Sequence, residues 1–409
     1  MGAPLHLPVQ KKLSGTPHQL PSSKSISNRA LVINSLAGGT AATLSNLSAA
    51  RDTRLMTALV GSEGPTIDVM DAGTTMRFLT AYFSVTNQQK VMTGTDRMKE
   101  RPIGPLVNAL RTLGVRIDYK AKDGFPPFEI LGFDRQLTRE VTVPGHLSSQ
   151  YISALMMIGP ALPNGLVLHL EGKVGSKPYI QMTASIMRAF GARTVWTGPT
   201  IEVAPGGYKP IPYRIEADWS AISYWYGFTA LSDEARIELK DVTVPSLQGD
   251  QVIANIGEPL GVKTTRSGEG LVLTKIESAK HLEWNFTDCP DLAQTVLPVC
   301  AAKGITGAFT GLESLRIKET DRISALQNEL AKIGAALTER EGSHWALTPA
   351  AVPLNRQGTV KIQTYHDHRM AMGFAPWATQ TPLDIEDREV VNKSYPGFWE
   401  DMKAVGFTL

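Results

Sequence analysis

The chain repeats one pattern of apolar and polar positions: an amphipathic helix ends at a bulky apolar residue, a glycine follows, and a strand-like run begins. Such a glycine stands where a helix needs a left-handed residue just past its end. The spacings between successive glycines are 191 − 114 = 77, 261 − 191 = 70, 334 − 261 = 73 and 406 − 334 = 72 residues. The glycines concerned are Gly114, Gly191, Gly261, Gly334 and Gly406.

This regular spacing predicts a repeated structural unit. A segment of this length holds about two helices and three or four strands. The chain then contains roughly five to six units, of which the first, around Thr53 to Gly61, is the least clear. The plainer alternative is that helices of any α/β protein often end at glycine.

Length and composition favour two ordinary globular domains. The chain has 409 residues, whereas one core rarely serves more than roughly 250–300, so we expect two domains of about three units each. Hydrophobic residues make up 42% and charged residues 20%, which argues against a disordered or coiled-coil protein. The formal charge is 41 − 39 = +2, which argues against a protein that coats nucleic acid.

Cysteine usage and hydropathy indicate a soluble cytoplasmic protein. Cys289 and Cys300 are too few for a disulfide framework and favour a reducing compartment. The start of the chain lacks the charged and apolar regions of a secretory signal. The longest apolar stretch, around Tyr151 to Leu162, is interrupted by Gly159-Pro160 and is shorter than the ~20 residues of a membrane span.

The segment PSSKSISNRA, residues 21–30, opens a helix that is predicted to run through Leu36. Lys24 and Arg29 among serines at a helix start combine cationic side chains with free backbone N–H groups, which is typical of an anion site. The alternative is ordinary capping by Ser25 or Ser27 with a solvated Lys24. The segment is not a Walker A loop.

Further basic segments lie beside small or hydroxyl residues. A glycine–hydroxyl turn, DAGTTMR at 71–77, enters a helix, and Gly73 there allows a ligand to approach the backbone. The segment 94–104, with Arg97 and Arg101, taken alone indicates a solvated turn. Hydroxyls and backbone amides suited to an oxyanion occur at 148–151 and 175–179.

The carboxyl-terminal half adds RIKETDR at 316–322, HDHRMAM at 366–372 and NKSYP at 392–396. The HDH spacing alone does not predict a metal, because neither HExxH nor a cysteine pair accompanies it. Asp291 and Glu319 are acids near cations and are candidates for proton transfer. If the basic segments converge, their ligands carry several negative charges. The cations concerned are Lys24, Arg29, Arg77, Arg97, Lys99, Arg101, Lys177, Lys318, Arg322, Arg369 and Lys393.

Taken in order, the motifs resemble the EPSP synthase family (3-phosphoshikimate 1-carboxyvinyltransferases) over essentially the full chain. They are individually modest and jointly specific: LPSSKSISNRA, AGTTMR, RMKERPIG, SSQ, SKPYI, RIKETDR, DHRMAM and KSYP. The resemblance implies an α/β enolpyruvyl transferase fold, an inside-out α/β barrel. Each of its two domains has three βαβαββ repeats around a pseudo-threefold axis. It further implies a discontinuous domain of residues 1–19 and 217–409, an inserted domain of residues 20–216, and an active site in the cleft between them.

The implied reaction transfers the enolpyruvyl group of phosphoenolpyruvate (PEP) to the 5-hydroxyl of shikimate 3-phosphate. It proceeds by addition and elimination without a metal or an organic cofactor, in a cytoplasmic monomer. Asp291 would accept the hydroxyl proton, Glu319 with Lys24 would handle the proton at the PEP methylene carbon, and His368 would support this network.

The resemblance also implies the substrate contacts. Shikimate 3-phosphate would contact Lys24, Ser25, Arg29, Ser148, Ser149, Gln150, Ser176, Asp291 and Lys318. PEP would contact Lys24, Gly73, Arg97, Gln150, Arg322, Arg369 and Lys393.

Some positions depart from the family pattern. Ser22, Asp71, Phe78 and Ser314 stand where the family commonly has Gly, Asn, Pro and Asn. None of them removes a catalytic group. The family is the target of glyphosate, and Gly73 leaves room for that inhibitor, so we expect a sensitive enzyme.

Three alternative functions remain. Enolpyruvyl transfer to UDP-N-acetylglucosamine would be expected with a cysteine between Arg97 and Arg101, which this sequence lacks. A catalytically silent anion-binding protein would be favoured if Asp291, Glu319 or Lys24 were absent. The RNA-terminal phosphate cyclases share parts of the fold, but no RNA-stacking motif is visible.

Overall fold

The computed structural model describes residues 3–145, 148–268, 270–356 and 358–409. Within them the chain forms two compact units. Unit 1 consists of the chain up to Ser22 together with Glu216–Leu409, and unit 2 is Ser23–Ile215.

The described residues form the following helices and strands. The helices are α1 (Lys24–Leu36), α2 (Arg51–Val60), α3 (Gly73–Val85), α4 (Asp96–Lys99), α5 (Gly104–Leu113), α6 (Ser149–Ile158), α7 (Lys177–Ala189), α8 (Trp219–Leu231), α9 (Ile253–Leu260), α10 (Ala293–Lys303), α11 (Arg322–Ala331), α12 (His368–Phe374) and α13 (Phe398–Ala404). The strands are β1 (Leu5–Leu7), β2 (Lys12–Gly15), β3 (Leu44–Ser45), β4 (Thr66–Asp68), β5 (Lys90–Thr93), β6 (Val115–Tyr119), β7 (Phe128–Phe133), β8 (Glu140–Pro144), β9 (Leu166–Glu171), β10 (Thr194–Thr197), β11 (Thr200–Val203), β12 (Tyr213–Arg214), β13 (Glu234–Leu239), β14 (Val262–Ser267), β15 (Gly270–Lys275), β16 (His281–Asn285), β17 (Thr306–Thr310), β18 (Ala336–Arg340), β19 (His344–Thr348), β20 (Val360–Ile362) and β21 (Leu383–Ile385).

Four sheets repeat one strand order. They are β4-β5-β7-β6 and β8-β9-β11-β10 in unit 2, and β2-β13-β15-β14 and β16-β17-β19-β18 in unit 1. In each, the first two strands are parallel and the last two form an antiparallel hairpin. A helix separates the first strand from the second and the second from the hairpin, which gives the order βαβαββ.

Two shorter sheets complete the repetition. In unit 1, β20 and β21 are parallel across α12, and β1, from the start of the chain, pairs antiparallel with β21. In unit 2, β12 pairs in parallel with β3, which α1 precedes and α2 follows. Each unit therefore carries three sheets in the part of the chain that the structure describes.

The glycines of the sequence repeat end the second helix of successive units, as predicted. All five have positive φ, with values of 111, 89, 94, 78 and 119° for Gly114, Gly191, Gly261, Gly334 and Gly406. Gly61, after α2, has φ −101°. The repeat that looked least clear in sequence is thus also the one whose helix ends without a left-handed residue.

Unit 1 has one apolar core around α8, whose residues from Ala221 to Leu231 are all buried. Among the described residues, no helix has the length and hydropathy required to cross a membrane.

Candidate active site

Helix α1 begins at Lys24 and is capped by Ser23, so the alternative of a cap at Ser25 or Ser27 is wrong: the Ser23 hydroxyl accepts a hydrogen bond from the Ile26 N–H at 3.4 Å. Its end at Leu36 is as predicted. The Lys24 ammonium lies 3.1 Å from the Asp52 carboxylate, which is almost fully buried. The carboxylate holds the lysine at the helix start, where backbone N–H groups are also available to an anion.

Arg29 lies one turn further along α1 and is fully buried. Its guanidinium donates to the hydroxyls of Thr183 at 2.7 Å and Ser153 at 3.2 Å, and to the Ser25 carbonyl at 2.9 Å. Burial lowers the pKa of Arg29 to about 10, which leaves it charged at neutral pH. A buried cation whose hydrogen bonds go to neutral oxygens is suited to an anionic ligand.

Two predicted contact segments begin helices. Ser148 caps α6, with its hydroxyl accepting from the Gln150 N–H at 3.3 Å, and Ser149 opens that helix. The Gln150 amide donates to the Thr74 hydroxyl on α3 at 3.1 Å. Ser176 precedes α7 with a left-handed φ of 53°. Most predicted contacts of unit 2 therefore lie at the starts of α1, α3, α6 and α7, whereas Arg29 lies further along α1 and Arg97 belongs to α4.

Gly73 opens α3 and lies against Arg101. A Cβ at position 73 would be 2.6 Å from the Arg101 guanidinium. Arg101 is buried, and it donates to the Asp71 carbonyl at 3.4 Å. The Asp71 carboxylate pairs with Arg51 at 2.7 Å, which offsets its negative charge.

Arg97 belongs to α4, a single turn that the sequence indicated as a loop. Its guanidinium pairs with Glu100 at 3.0 Å, and 47% of its side chain is exposed. The structure leaves Arg97 more accessible than the other predicted cations Lys24 and Arg29.

In unit 1, Arg322 is the centre of a buried ionic cluster. The guanidinium donates to Asp291 at 2.9 Å, to Glu319 at 2.9 Å and to Asp367 at 2.7 Å. Arg322 starts α11, and its side chain is only 2% exposed. Burial lowers the pKa of Arg322, but the three carboxylates raise it by more than burial lowers it, so the net shift is upward.

Asp291 is the carboxylate on which the other cations converge. Arg369 donates to it at 3.0 Å, and the Lys318 ammonium lies at 3.8 Å. Burial raises the pKa of Asp291, but Arg369, Lys318 and Arg322 together lower it well below the usual value. Asp291 is therefore ionised in the free protein.

The remaining predicted residues border this cluster. Lys393 is buried, with its ammonium 3.9 Å from Glu319. His368 is buried with its ring 3.6 Å from Asp367, which caps α12 by accepting from the Arg369 N–H at 2.9 Å. The structure thus gathers every candidate that the sequence placed in the carboxyl-terminal half: Asp291, Lys318, Glu319, Arg322, His368, Arg369 and Lys393.

Sequence reasoning gave no role to Asp367 or Asp52. Asp367 lies between His366 and His368 in the HDH motif, where an acid just before a helix also predicts a cap. Asp52 lies on α2, outside any motif, so its pairing with Lys24 follows only from the packing of α1 against α2. In the part of the chain that the structure describes, no cluster of three or more His, Cys, Asp or Glu is suited to a metal.

The fold and these clusters define a class: an α/β protein of repeated small sheets with buried clusters of cations and carboxylates. A sequence model of the family described as EPSP synthase (3-phosphoshikimate 1-carboxyvinyltransferase) matches residues 60–402. The chain belongs to this family.

Two relatives are similar in sequence to this chain over nearly its whole length. A 3-phosphoshikimate 1-carboxyvinyltransferase of Bacteroides fragilis (strain YCH46) is 48% identical over 395 residues, covering 96% of this chain and 95% of the relative. One from Methanospirillum hungatei JF-1 is 34% identical and covers 94% of each chain.

The solved structure of EPSP synthase from Acinetobacter baumannii has the same fold. It aligns with a TM-score of 0.76 at 22% identity, covering 99% of this chain and 98% of that one. The predicted family and fold class are confirmed.

Proposed function

We propose that this chain transfers the enolpyruvyl group of PEP to the 5-hydroxyl of shikimate 3-phosphate and releases phosphate. The observation that carries the proposal is the buried cluster in which Arg322 and Arg369 hold the ionised Asp291 beside Glu319. Such a cluster binds anions and offers proton acceptors in one place. Membership of the EPSP synthase family supports the choice of substrates.

The charges of the substrates match the basic residues of both units. PEP and shikimate 3-phosphate together bring two phosphates and two carboxylates, for which arginine offers paired donors and lysine a point charge. PEP is bound by Lys24, Gly73, Arg97, Gln150, Arg322, Arg369 and Lys393. Shikimate 3-phosphate is bound by Lys24, Ser25, Arg29, Ser148, Ser149, Gln150, Ser176, Asp291 and Lys318.

The reaction has two steps that balance. In the addition, the 5-hydroxyl oxygen bonds to C2 of PEP, its proton passes to Asp291, and a proton reaches the methylene carbon from the pair Glu319 and Lys24. In the elimination, the C2–O bond to phosphate breaks, the new methyl group returns one proton to that pair, and the proton held by Asp291 leaves with the phosphate. Both steps need a carboxylate at hydrogen-bond distance from the reacting atom.

Substrate binding adjusts the basicity of Asp291. Its neighbours Arg369 and Lys318 lower its pKa in the free protein. A phosphate or carboxylate bound to these cations offsets their charge, and the pKa of Asp291 then rises toward the range of a useful base. The acceptor is thus activated only where its substrates are present.

His368 acts through its neighbours. Its ring is packed beside Asp367, which in turn orients Arg322 and the start of α12. We assign it a positioning role in the arginine network.

The finer features of the enzyme are part of the proposal. Its domains are residues 20–216 and residues 1–19 with 217–409, a division supported by the compact units. A cytoplasmic location is in keeping with the two free thiols, and the family resemblance implies a monomer. Light scattering of the purified protein tests the monomer.

Glyphosate is proposed as an inhibitor. Gly73 presents bare backbone against the Arg101 guanidinium, and an added Cβ would displace that cation. Glyphosate should inhibit with a constant at or below the KM of PEP, and a constant far above that KM contradicts the proposal.

The deciding experiment measures phosphate release from PEP and shikimate 3-phosphate together, and from each alone, with a chelator present. Release that needs both substrates and survives the chelator supports metal-free enolpyruvyl transfer. If nothing is released, UDP-N-acetylglucosamine replaces shikimate 3-phosphate. Release then indicates a different acceptor, and none indicates a silent anion-binding protein.

A further inference from the structure

The turn between β20 and α12 carries unusual backbone geometry. Two consecutive residues, Tyr365 and His366, adopt left-handed φ values of 52 and 54°. Asp367, His368 and Arg369 follow directly. Histidine adopts this conformation more often than most residues, but tyrosine is bulky and rarely does, and two such residues in a row depend on the surrounding contacts to hold them.

Glu329 provides several of those contacts. Its carboxylate, fully buried on α11, accepts from the Tyr365 hydroxyl at 2.8 Å and from the Gln363 N–H at 3.2 Å. The Lys332 ammonium lies 2.7 Å from it and offsets its charge. The carboxylate therefore forms hydrogen bonds with both the backbone and a side chain of the turn.

A second carboxylate holds the middle of the turn. Glu386, which follows β21, accepts from the Thr364 N–H at 3.0 Å and from the Thr364 hydroxyl at 3.3 Å. Unlike Glu329, it belongs to no helix that carries a residue of the ionic cluster.

Helix α11 touches the 363–369 segment at two levels. At its start, Arg322 donates to Asp367 at 2.7 Å. Seven residues later, Glu329 accepts from Tyr365 and Gln363. Residues seven apart lie nearly on one helix face, so a single face of α11 fixes the turn and aligns Arg322 with Arg369.

We propose that Glu329 is a positioning residue that holds the strained Tyr365–His366 turn and thereby aligns Arg322 and Arg369 for PEP. This rests on the proposed function, because it takes these two arginines as PEP ligands. Glu329 itself does not touch the substrate. Its removal should act on the binding of PEP more than on that of shikimate 3-phosphate.

The test compares Glu329→Gln with Tyr365→Phe in the full-length protein. Glu329→Gln keeps the size of the side chain but replaces the carboxylate by an amide beside N–H donors. Tyr365→Phe removes only the hydroxyl that donates to Glu329. The matched control is Glu283→Gln, an exposed glutamate of the same unit whose side chain is 78% exposed. Steady-state kinetics with each substrate varied in turn give both KM values and kcat.

We expect the KM for PEP to rise on the order of tenfold in Glu329→Gln and less in Tyr365→Phe, with the KM for shikimate 3-phosphate changed by less than about twofold. The control should match the parent chain. Adding His366→Gly to Glu329→Gln should restore part of the PEP affinity, because glycine adopts a left-handed φ without strain. Such a rescue would tie the loss of PEP affinity to the backbone of this turn, and an equal rise in both KM values would instead indicate a general structural defect and contradict the positioning role.

Arg369→Ala separates this inference from the proposed function. If Arg369→Ala raises the KM for PEP while Glu329→Gln and Tyr365→Phe leave it unchanged, the positioning role is wrong and the proposed function stands. If Arg369→Ala itself leaves the KM unchanged, the placement of PEP is wrong and the inference falls with it. Should Glu329→Gln not fold, Tyr365→Phe alone decides, by the same rise or its absence.

Discussion

Two buried carboxylates close to each other have pKa values shifted in opposite directions. Burial raises the pKa of Asp291, but three cations outweigh it. Burial also raises the pKa of Asp250, the nearby Asp291 charge raises it further, and Arg369 only partly opposes them, which brings it to about 7. The difference follows from which residue the cations contact, since both side chains are buried.

The raised pKa of Asp250 predicts a pH-dependent stability. Between the ordinary pKa of 3.8 and about 7, the folded protein holds a proton that the unfolded chain has released. Stability from this group is therefore complete below pH 3.8 and is lost as the pH rises through 7. Asp250→Asn, which cannot ionise, should gain stability relative to the parent chain from pH 5 to pH 8.

Urea unfolding at pH 5, 6, 7 and 8 measures that difference. The residues facing Asp250 are Ser220, which donates to it, and the charged Asp291, Arg369 and Asp218. All of them remain in the variant, so the slope against pH isolates the Asp250 proton. A difference in unfolding free energy that is flat over this range contradicts the raised pKa.

Glu319 is expected to act on the chemical step. Glu319→Gln keeps a side chain of the same shape beside Arg322, 2.9 Å away, but removes the proton acceptor. We expect kcat to fall on the order of 10²- to 10⁴-fold, with PEP still bound. Rapid-quench turnover and equilibrium PEP binding provide the two readings.

Glu400→Gln is the control for this variant, since Glu400 is exposed and pairs only locally with Lys403 in the contacts described. Near-normal turnover by Glu319→Gln would remove Glu319 from the proton transfer. A loss of PEP binding equal to the loss of kcat would instead make it a binding residue.

At the scale of elements, the helix-ending glycines are expected to differ in their tolerance of a side chain. Gly334 and Gly261 both have positive φ, but a Cβ on Gly334 would meet nothing within 4 Å. A Cβ on Gly261 would lie 2.9 Å from the Ile276 carbonyl oxygen. Gly334→Ala should cost about 1 kcal/mol of unfolding free energy from backbone strain, and Gly261→Ala distinctly more.

Gly61→Ala is the matched control, because Gly61 ends α2 at φ −101° with open space around it. Alanine there should be neutral or stabilising by about 0.4–1 kcal/mol. Chemical unfolding of the three variants gives the ranking. Equal losses at Gly61 and Gly334 would show that left-handed geometry is not what the glycines supply.

The repeat was predictable because each helix end needs the same residue for the same steric reason. Gly114, Gly191, Gly261, Gly334 and Gly406 therefore marked the second helix of five units. The first repeat was faint because α2 ends without a left-handed residue and β3 pairs only with the distant β12. Pairings such as β1 with β21 involve residues about 380 apart, and no local signal encodes them.

The site was predictable where a residue lies in a local motif and was missed where tertiary packing creates the partner. Lys24 lies in a segment that the sequence predicts to open a helix, and α1 does begin there. Arg322 lies in a basic motif whose helix start the sequence did not indicate. Asp52 reaches Lys24 only because α2 packs against α1. In the sequence, Glu329 is one polar residue of an amphipathic helix. Its burial and its contact with Tyr365 follow only from tertiary packing.

At the scale of the molecule, unit 2 is an insertion between β2 and α8 of unit 1. The sheet β2-β13-β15-β14 takes its first strand from before the insertion and the rest from after it. Unit 2, in contrast, draws all three of its sheets from one continuous segment, since β12 returns to pair with β3. Unit 1 is therefore assembled from two separate segments of the chain, whereas unit 2 is formed by one continuous segment.

This topology predicts that Ser23–Ile215 folds as a separate fragment. Every strand of its sheets is present, and its buried side chains include Phe83, Leu110 and Ile152. The fragment should unfold cooperatively in urea and show dispersed amide resonances. Deleting the chain up to Gly15 from the whole protein removes β1 and β2 and should destabilise unit 1 alone. A fragment without a cooperative transition would show instead that unit 2 needs unit 1 in order to fold.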